Sequence, residues 1–240
     1  MPTCRRPQIR FLWNPRKEKM SGMVPFLWGP MAWRQIHGMA HAFDRSFPVA
    51  DTKDNISEKV AELFVLFLIA LAWVLPCNLC RLSYSDYLLG FLQNGKLAGY
   101  FNARKVQRFA FELHNMVNEK LNRPVCDNFD LVLRRSELWS VEFLPRELFG
   151  LLFIITLNFN SNQESEKQKH YKEFFLSLPH LLAALGNQRM AVALEQHINY
   201  SQVWTQENLL QSVYSAFATW QGGHVPDIAQ VEQMYNLCRA

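Results

Sequence analysis

The apolar residues of the chain are most concentrated between Leu63 and Leu75, where thirteen consecutive side chains are apolar. A helix that crosses a bilayer needs about 20 such residues, so we expect no membrane span. Asn55 or Ser57 can cap the start of this helix, and Pro76 cannot continue it. A helix that is apolar on all sides is buried on all sides, either by the rest of the domain or by a second subunit. We expect a homodimer whose second subunit covers part of it.

Helical periodicity on both sides of this run predicts an all-α fold. Proline in the first turn of a helix costs no hydrogen bond, which favours a helix start at Pro30. A loop is expected at residues 93–100, and Asn102 is a favourable cap for the helix that follows. The predicted helices cover residues 30–43, 57–75, 81–93, 102–122, 145–158, 171–185 and 205–220, and a last one begins at Pro226.

Composition divides the chain into three segments. Residues 1–25 hold six basic side chains against one acid, which predicts a flexible basic leader. Residues 26–125 carry the candidate chemistry, and residues 126–240 predict a helical C-terminal domain of unknown role. The net charge of +4 is too small to indicate nucleic acid binding. Five cysteines without dense spacing exclude a disulfide-rich scaffold, and no secretory signal is visible.

Two cysteines two residues apart, Cys77 and Cys80, follow the break at Pro76. Helix-forming residues continue after them, so the pair is predicted at a helix N-terminus. The partial positive charge of that helix end favours a thiolate over a thiol. A Cys-x-x-Cys loop here can open and close a disulfide with little chain movement, but the spacing is also half of a structural zinc site, which the spacing alone slightly favours over a redox pair. His37 and His41, spaced i and i+4 on the first helix, could supply the other half.

Two helix faces combine aromatic and polar side chains. Trp33 and His37 lie one turn apart on the first helix, and His114 and Asn118 lie one turn apart on a later one. Such faces could sandwich a planar ligand that forms hydrogen bonds. Zinc requires neither tryptophan nor asparagine, so these faces favour a planar cofactor over a metal.

Three sequence blocks, in this order, resemble the Erv/ALR family of FAD-linked sulfhydryl oxidases. The resemblance covers residues 26–124. The blocks are Trp28-Gly29-x-x-x-Trp33-x-x-Ile36-His37, Pro76-Cys77-x-x-Cys80-Arg81 and His114-Asn115-x-Val117-Asn118-x-x-Leu121-x-Arg123-Pro124.

This resemblance implies an Erv/ALR-like helical bundle that binds FAD, with the Cys-x-x-Cys pair against the isoalloxazine ring. Cys80 corresponds to the flavin-proximal, charge-transfer thiolate and Cys77 to the interchange cysteine that meets the substrate. The positions that correspond to the family's FAD-lining residues are Trp28, Trp33, His37, Phe43, His114, Asn115, Val117, Asn118, Leu121 and Arg123.

The implied enzyme is a thiol oxidase that forms disulfides in partner proteins and passes electrons to molecular oxygen, giving hydrogen peroxide. The expected partner is a protein dithiol, for example a thioredoxin-like one. An oxidase domain with a helical extension is similar to the oxidases of large DNA viruses. We therefore expect the host cytoplasm or the virion as its location, with the mitochondrial intermembrane space as the alternative. The alternative function is a structural zinc-binding protein, or a virion scaffold with a vestigial oxidase fold.

The chain departs from the family pattern at several positions. Arg123 replaces the usual lysine, and Phe43 falls near a position that is often tyrosine. Cellular members brace the fourth helix with a second disulfide. This chain has Phe111 at the position of one of those two cysteines, and Cys126, near the position of the other, has no evident partner. Cys126 and the cysteines at positions 4 and 238 are expected to be incidental. Cys77 is therefore predicted to receive electrons directly from the partner dithiol.

Overall fold

The computed structural model describes residues 25–47, 55–138, 144–162, 165–199 and 201–223, which fold into helices and confirm the predicted fold class. The predicted helix start at Pro30 is wrong, because the first helix begins at Pro25 and contains Pro30, and the helices at residues 129–138 and 188–197 were not predicted. The basic leader, Cys4, Cys238, His224 and the helix predicted from Pro226 lie outside these ranges. In chain order the helices are α1 (Pro25–Ser46), α2 (Asn55–Val74), α3 (Asn78–Gln93), α4 (Lys96–Asn102), α5 (Val106–Lys120), α6 (Phe129–Leu138), α7 (Leu144–Leu157), α8 (Ser165–Ala184), α9 (Gln188–His197) and α10 (Gln206–Gln221).

The apolar helix α2 is covered by another helix of the same chain. Its most extensive packing is against α8, and α1 packs similarly against α7. The Phe67 ring of α2 stacks on the Phe174 ring of α8, with centroids 5.5 Å apart, and both side chains are fully buried. One hydrophobic core therefore contains residues of both predicted domains. Part of the surface that motivated the expected homodimer is therefore covered within one chain, while Leu66 of α2 remains 37% exposed.

Membrane insertion is not indicated by any helix in the described ranges, because none combines the length and the apolar character that a span requires. The packing of α2 against α8 explains most of its apolar composition.

The loop expected at residues 93–100 is wrong, because α4 begins there at Lys96. The fold stabilises this short helix through its neighbour α5. Glu112 of α5 accepts hydrogen bonds from Lys96 Nζ at 3.2 Å and from the Tyr100 hydroxyl at 2.6 Å. These are contacts between helices, and local propensity does not reveal them.

The cap predicted for the following helix is also wrong. Asn102 ends α4, and α5 begins after Lys105, whose side chain forms no capping hydrogen bond. Asp44 of α1 supplies the cap instead. Its two carboxylate oxygens accept hydrogen bonds from the backbone N–H groups of Val106 and Gln107, both at 2.9 Å. This contact attaches the end of α1 to the start of α5, two of the helices that carry the predicted ligand residues.

Replacing this cap is expected to destabilise the protein. Asp44→Ala leaves two N–H groups at the start of α5 without their acceptor and removes a negative charge from the positive end of the helix dipole. We expect the free energy of unfolding, measured by urea denaturation, to fall by about 1–2 kcal/mol. Asp127→Ala, at an exposed position between α5 and α6, is the control and should change it by less than about 0.5 kcal/mol. Equal losses in the two variants would contradict the capping role.

Candidate functional site

The Cys77–Cys80 pair lies at the N-terminus of α3, as the sequence predicts. Cys77 is the N-cap residue, in an extended conformation, and its Sγ accepts a hydrogen bond from the Cys80 N–H at 3.2 Å. The two sulfurs are joined in a disulfide whose Cα atoms are 5.2 Å apart. When the disulfide is reduced, the same N–H and the helix dipole favour the thiolate form of Cys77.

A cavity of about 450 Å³ lies between α1, α2, α3 and α5, with Cys80 in its wall. Its size is within the range of small-molecule sites. Eight of the ten residues predicted to line a cofactor site surround it. They are Trp28, Trp33, His37, His114, Val117, Asn118, Leu121 and Arg123. The side chains come from positions up to 95 residues apart in the sequence (123 − 28), so the helix packing brings them together.

One wall of the cavity is a cluster of three rings. Trp33 and His114 stack in parallel, with centroids 4.0 Å apart and an interplanar angle of 8°. His37 Nε2 and His114 Nδ1 lie 3.1 Å apart, within hydrogen-bonding distance. The two helix faces expected to sandwich a ligand are therefore in direct contact. They form one continuous wall against which a planar group can lie.

Both histidines of this wall are neutral at physiological pH. Burial lowers the pKa of His37 to about 3, and the nearby His114 contributes to the shift. Burial also lowers the pKa of His114 to about 4, with a contribution from the positive charge of Arg123. In the neutral forms one ring nitrogen of the pair can donate its proton to the other. The wall thus presents aromatic faces without a charge of its own.

Positive charge is provided at other points of the lining. Arg34, Lys120 and Arg123 all border the cavity. Arg34 forms an ion pair with Glu147 of α7, and Lys120 donates a hydrogen bond to the Ser83 hydroxyl. The remaining wall is largely apolar and includes Ile36, Leu71 and Leu75. The cavity therefore suits a ligand with a flat apolar part and an anionic part.

Sequence reasoning missed several lining residues. Arg34 and Lys120 adjoin predicted residues, so proximity in sequence could have indicated them. Ser83 follows Cys80 by three positions, which places it on the same face of α3. Tyr84, whose hydroxyl donates to the Leu68 backbone oxygen at 3.3 Å, and the α2 leucines required knowledge of the helix packing.

Phe43 and Asn115 are the two predicted residues that the structure puts elsewhere. Phe43 is fully buried in the core, edge-on to Phe101 with centroids 5.0 Å apart. Asn115 binds the backbone of Cys126. Its Nδ2 donates to the Cys126 oxygen at 2.7 Å, and its Oδ1 accepts from the Cys126 N–H at 3.1 Å. Both side chains support the helices around the cavity without lining it.

The zinc alternative required His37, His41, Cys77 and Cys80 to converge. His37 borders the aromatic cavity, whereas His41 borders a separate cleft together with Asp44. Among the residues that the structure describes, no group of three or more histidine, cysteine or acidic side chains could hold a metal ion.

The chain is similar to two viral enzymes. It is 25% identical over 131 residues to the FAD-linked sulfhydryl oxidase of a Kenyan isolate of African swine fever virus, a match that covers 51% of this chain and 93% of the viral protein. The protein of the same name from a Malawian isolate is 26% identical over 125 residues, with the same coverage. No protein-family model matches the chain, and no solved structure matches it significantly. The two relatives support a viral, Erv-like sulfhydryl oxidase family.

Proposed function

We propose that this chain, which its viral relatives associate with the Erv-like sulfhydryl oxidases, is an FAD-dependent oxidase of protein dithiols. The observation that carries the proposal is the position of Cys80. It belongs to a Cys-x-x-Cys disulfide at a helix N-terminus and at the same time lines an aromatic cavity with a basic border. A disulfide that adjoins a site for a planar cofactor can pass electrons into it.

FAD fits the chemistry of the lining residues. Its isoalloxazine ring is flat and largely apolar, which suits the indole rings of Trp28 and Trp33 and the apolar side of α2. Its pyrophosphate is anionic, which suits Arg34, Lys120 and Arg123. When bound, FAD supplies a two-electron acceptor that can be reoxidised by molecular oxygen to give hydrogen peroxide. The proposed ligand residues are the eight predicted residues that line the cavity, together with Arg34 and Lys120.

The two cysteines have different roles in this proposal. A substrate thiolate attacks Cys77 Sγ, which forms a mixed disulfide and releases Cys80 as a thiolate. A second substrate thiolate then attacks the substrate sulfur of that bond, so the substrate leaves as a disulfide and Cys77 as a thiolate. The Cys77–Cys80 disulfide reforms when the pair gives up two electrons. The net change converts one dithiol and one oxygen molecule into one disulfide and one hydrogen peroxide.

One of the two side chains between the cysteines, that of Leu79, supports a protein as the substrate. Leu79 borders the cavity and is 56% exposed, next to the half-buried sulfurs. An apolar side chain at this point can contact the backbone or apolar residues that flank a substrate cysteine. We infer that a protein dithiol, for example a thioredoxin-like one, is the electron donor, and that the host cytoplasm or the virion is the location.

The absorbance spectrum of the purified protein tests the proposal. We expect a yellow protein whose flavin absorbs near the wavelengths of free FAD, at one FAD per chain, and which consumes oxygen when a dithiol is added. Heat denaturation releases the flavin, and chromatography of the released flavin identifies it as FAD. A colourless protein that contains stoichiometric zinc, or a flavin-free protein without oxidase activity, would overturn the proposal and favour the scaffold alternative.

A further inference from the structure

Arg81, directly after the redox pair, holds the loop that carries Cys77. One guanidinium nitrogen, Nη1, donates to the backbone oxygen of Leu75 at 3.4 Å. The other, Nη2, donates to Asn78 Oδ1. Leu75 precedes Cys77 by two residues and Asn78 follows it, so the guanidinium contacts the chain on both sides of the attacked cysteine. The backbone N–H of Arg81 also donates to the Cys77 oxygen at 2.9 Å.

This arginine is unusually buried for a charged side chain, with only 4% of its surface exposed. A buried charge is tolerated when its donors are satisfied, and Leu75 and Asn78 supply two acceptors. The C-terminal half covers this region. Tyr171 of α8 is fully buried and lies close enough for the charge of Arg81 to act on its hydroxyl. One turn before the disulfide, Trp73 stacks on His170 of α8, with centroids 4.4 Å apart.

We propose that Arg81 is a positioning residue for the redox pair, whose guanidinium fixes the Cys77 loop against the start of α3 beneath helix α8. The inference rests on the proposed thiol oxidase function. Hydrogen bonds excluded from water are stronger than exposed ones, so the cover from α8 stabilises the contact. A loop held in this way keeps the two thiols of the reduced pair close together. Their effective concentration for reforming the disulfide is then high.

The redox equilibrium of the pair measures this effect directly. In the flavin-loaded protein under anaerobic glutathione buffers, two glutathione thiols reduce the Cys77–Cys80 disulfide and become glutathione disulfide. The fraction of reduced pair is read by thiol labelling and mass spectrometry. We expect Arg81→Met to favour the reduced pair by at least about tenfold in the equilibrium constant, which corresponds to about 30 mV. A side chain that only stabilised the fold would leave this constant unchanged.

Two further variants keep the test decisive if Arg81→Met folds poorly. Asn78→Ala removes one acceptor at a half-buried position, and we expect a shift of about threefold in the same direction, equivalent to less than about 1 kcal/mol. Arg81→Lys retains the charge, but a single ammonium group does not reproduce the two-sided contact of a planar guanidinium. It should therefore shift the equilibrium as Arg81→Met does. Arg135→Met, at an exposed position of α6, is the control and should match the unmodified protein.

Three results would overturn the inference. They are an unchanged equilibrium in Arg81→Met and Asn78→Ala, full recovery in Arg81→Lys, and a shift of Arg81→Met toward the disulfide. Full recovery in Arg81→Lys would show that a positive charge is sufficient and that the guanidinium geometry is unimportant. A shift of Arg81→Met toward the disulfide would show that the charge stabilises the reduced pair as a thiolate. Failure of this inference and failure of the proposed function can be distinguished. A protein without FAD or oxidase activity would refute that function, yet its Cys77–Cys80 equilibrium could still be measured.

Discussion

Cys77→Ser and Cys80→Ser are each expected to lower the turnover of a dithiol substrate by about 10³-fold or more, equivalent to about 4 kcal/mol in barrier. Serine cannot form or exchange a disulfide, so either replacement ends the two-electron path between the substrate and the cavity. Oxygen consumption with a small dithiol and with a protein dithiol measures the loss. Cys126→Ser is the matched control, since Cys126 is a free cysteine outside the redox pair, and it should stay within about threefold of the unmodified protein.

Spectroscopy distinguishes the two cysteines where activity does not. Cys80 lines the cavity, so Cys77→Ser should leave a free Cys80 thiolate beside the flavin and give a long-wavelength charge-transfer band. Cys80→Ser should retain FAD without this band. A charge-transfer band in Cys80→Ser and none in Cys77→Ser would show that Cys77, and not Cys80, is the cysteine beside the flavin. Full activity of either variant would contradict the disulfide mechanism.

Acidification is expected to destabilise the protein through the histidine pair of the cavity wall. His37 and His114 have folded-state pKa values of about 3 and about 4 because of burial, whereas both titrate near 6.5 when unfolded. Between these values the unfolded chain binds more protons, so stability is complete above pH 6.5 and falls as the pH decreases through it. From pH 7.5 to pH 5 each histidine contributes a loss of about 2 kcal/mol, or up to about 4 kcal/mol together.

Urea denaturation at the two pH values, with FAD in excess, measures this loss. His37→Gln and His114→Gln should each reduce the difference between the two pH values by about 2 kcal/mol, because glutamine does not titrate. His180→Gln, at an exposed position of α8, is the control and should leave the difference unchanged. The same pH dependence in all three variants would show that other groups cause the acid lability.

Local sequence chemistry was sufficient to predict that the Cys-x-x-Cys pair lies at a helix N-terminus. Proline after an apolar run ends a helix because it lacks an N–H and clashes with the preceding turn. A Cys-x-x-Cys after such a break therefore starts the next helix, and the structure has Cys77 as the N-cap of α3. Similarly, Thr205 and Gly222 mark the ends of α10 through a capping box and a left-handed C-cap. These features depend on neighbouring residues alone.

Contacts between distant segments decided the rest. The sequence predicts that α2 is buried but not what buries it, because an apolar surface fits any other apolar surface. In the structure α8 of the same chain packs on α2, and Leu66 of α2 is left 37% exposed. A second subunit on this remaining surface stays a prediction.

The same limit applies to single side chains. Asp44 caps α5 from another helix, and Asn115 binds the Cys126 backbone outside the cavity. Arg81 lies beneath a helix that begins more than eighty positions later in the chain. Helical periodicity states which face of a helix is apolar or polar. Only the packing of the helices determines which of those faces meet, and hence which side chains share a cavity, a cap or a buried charge.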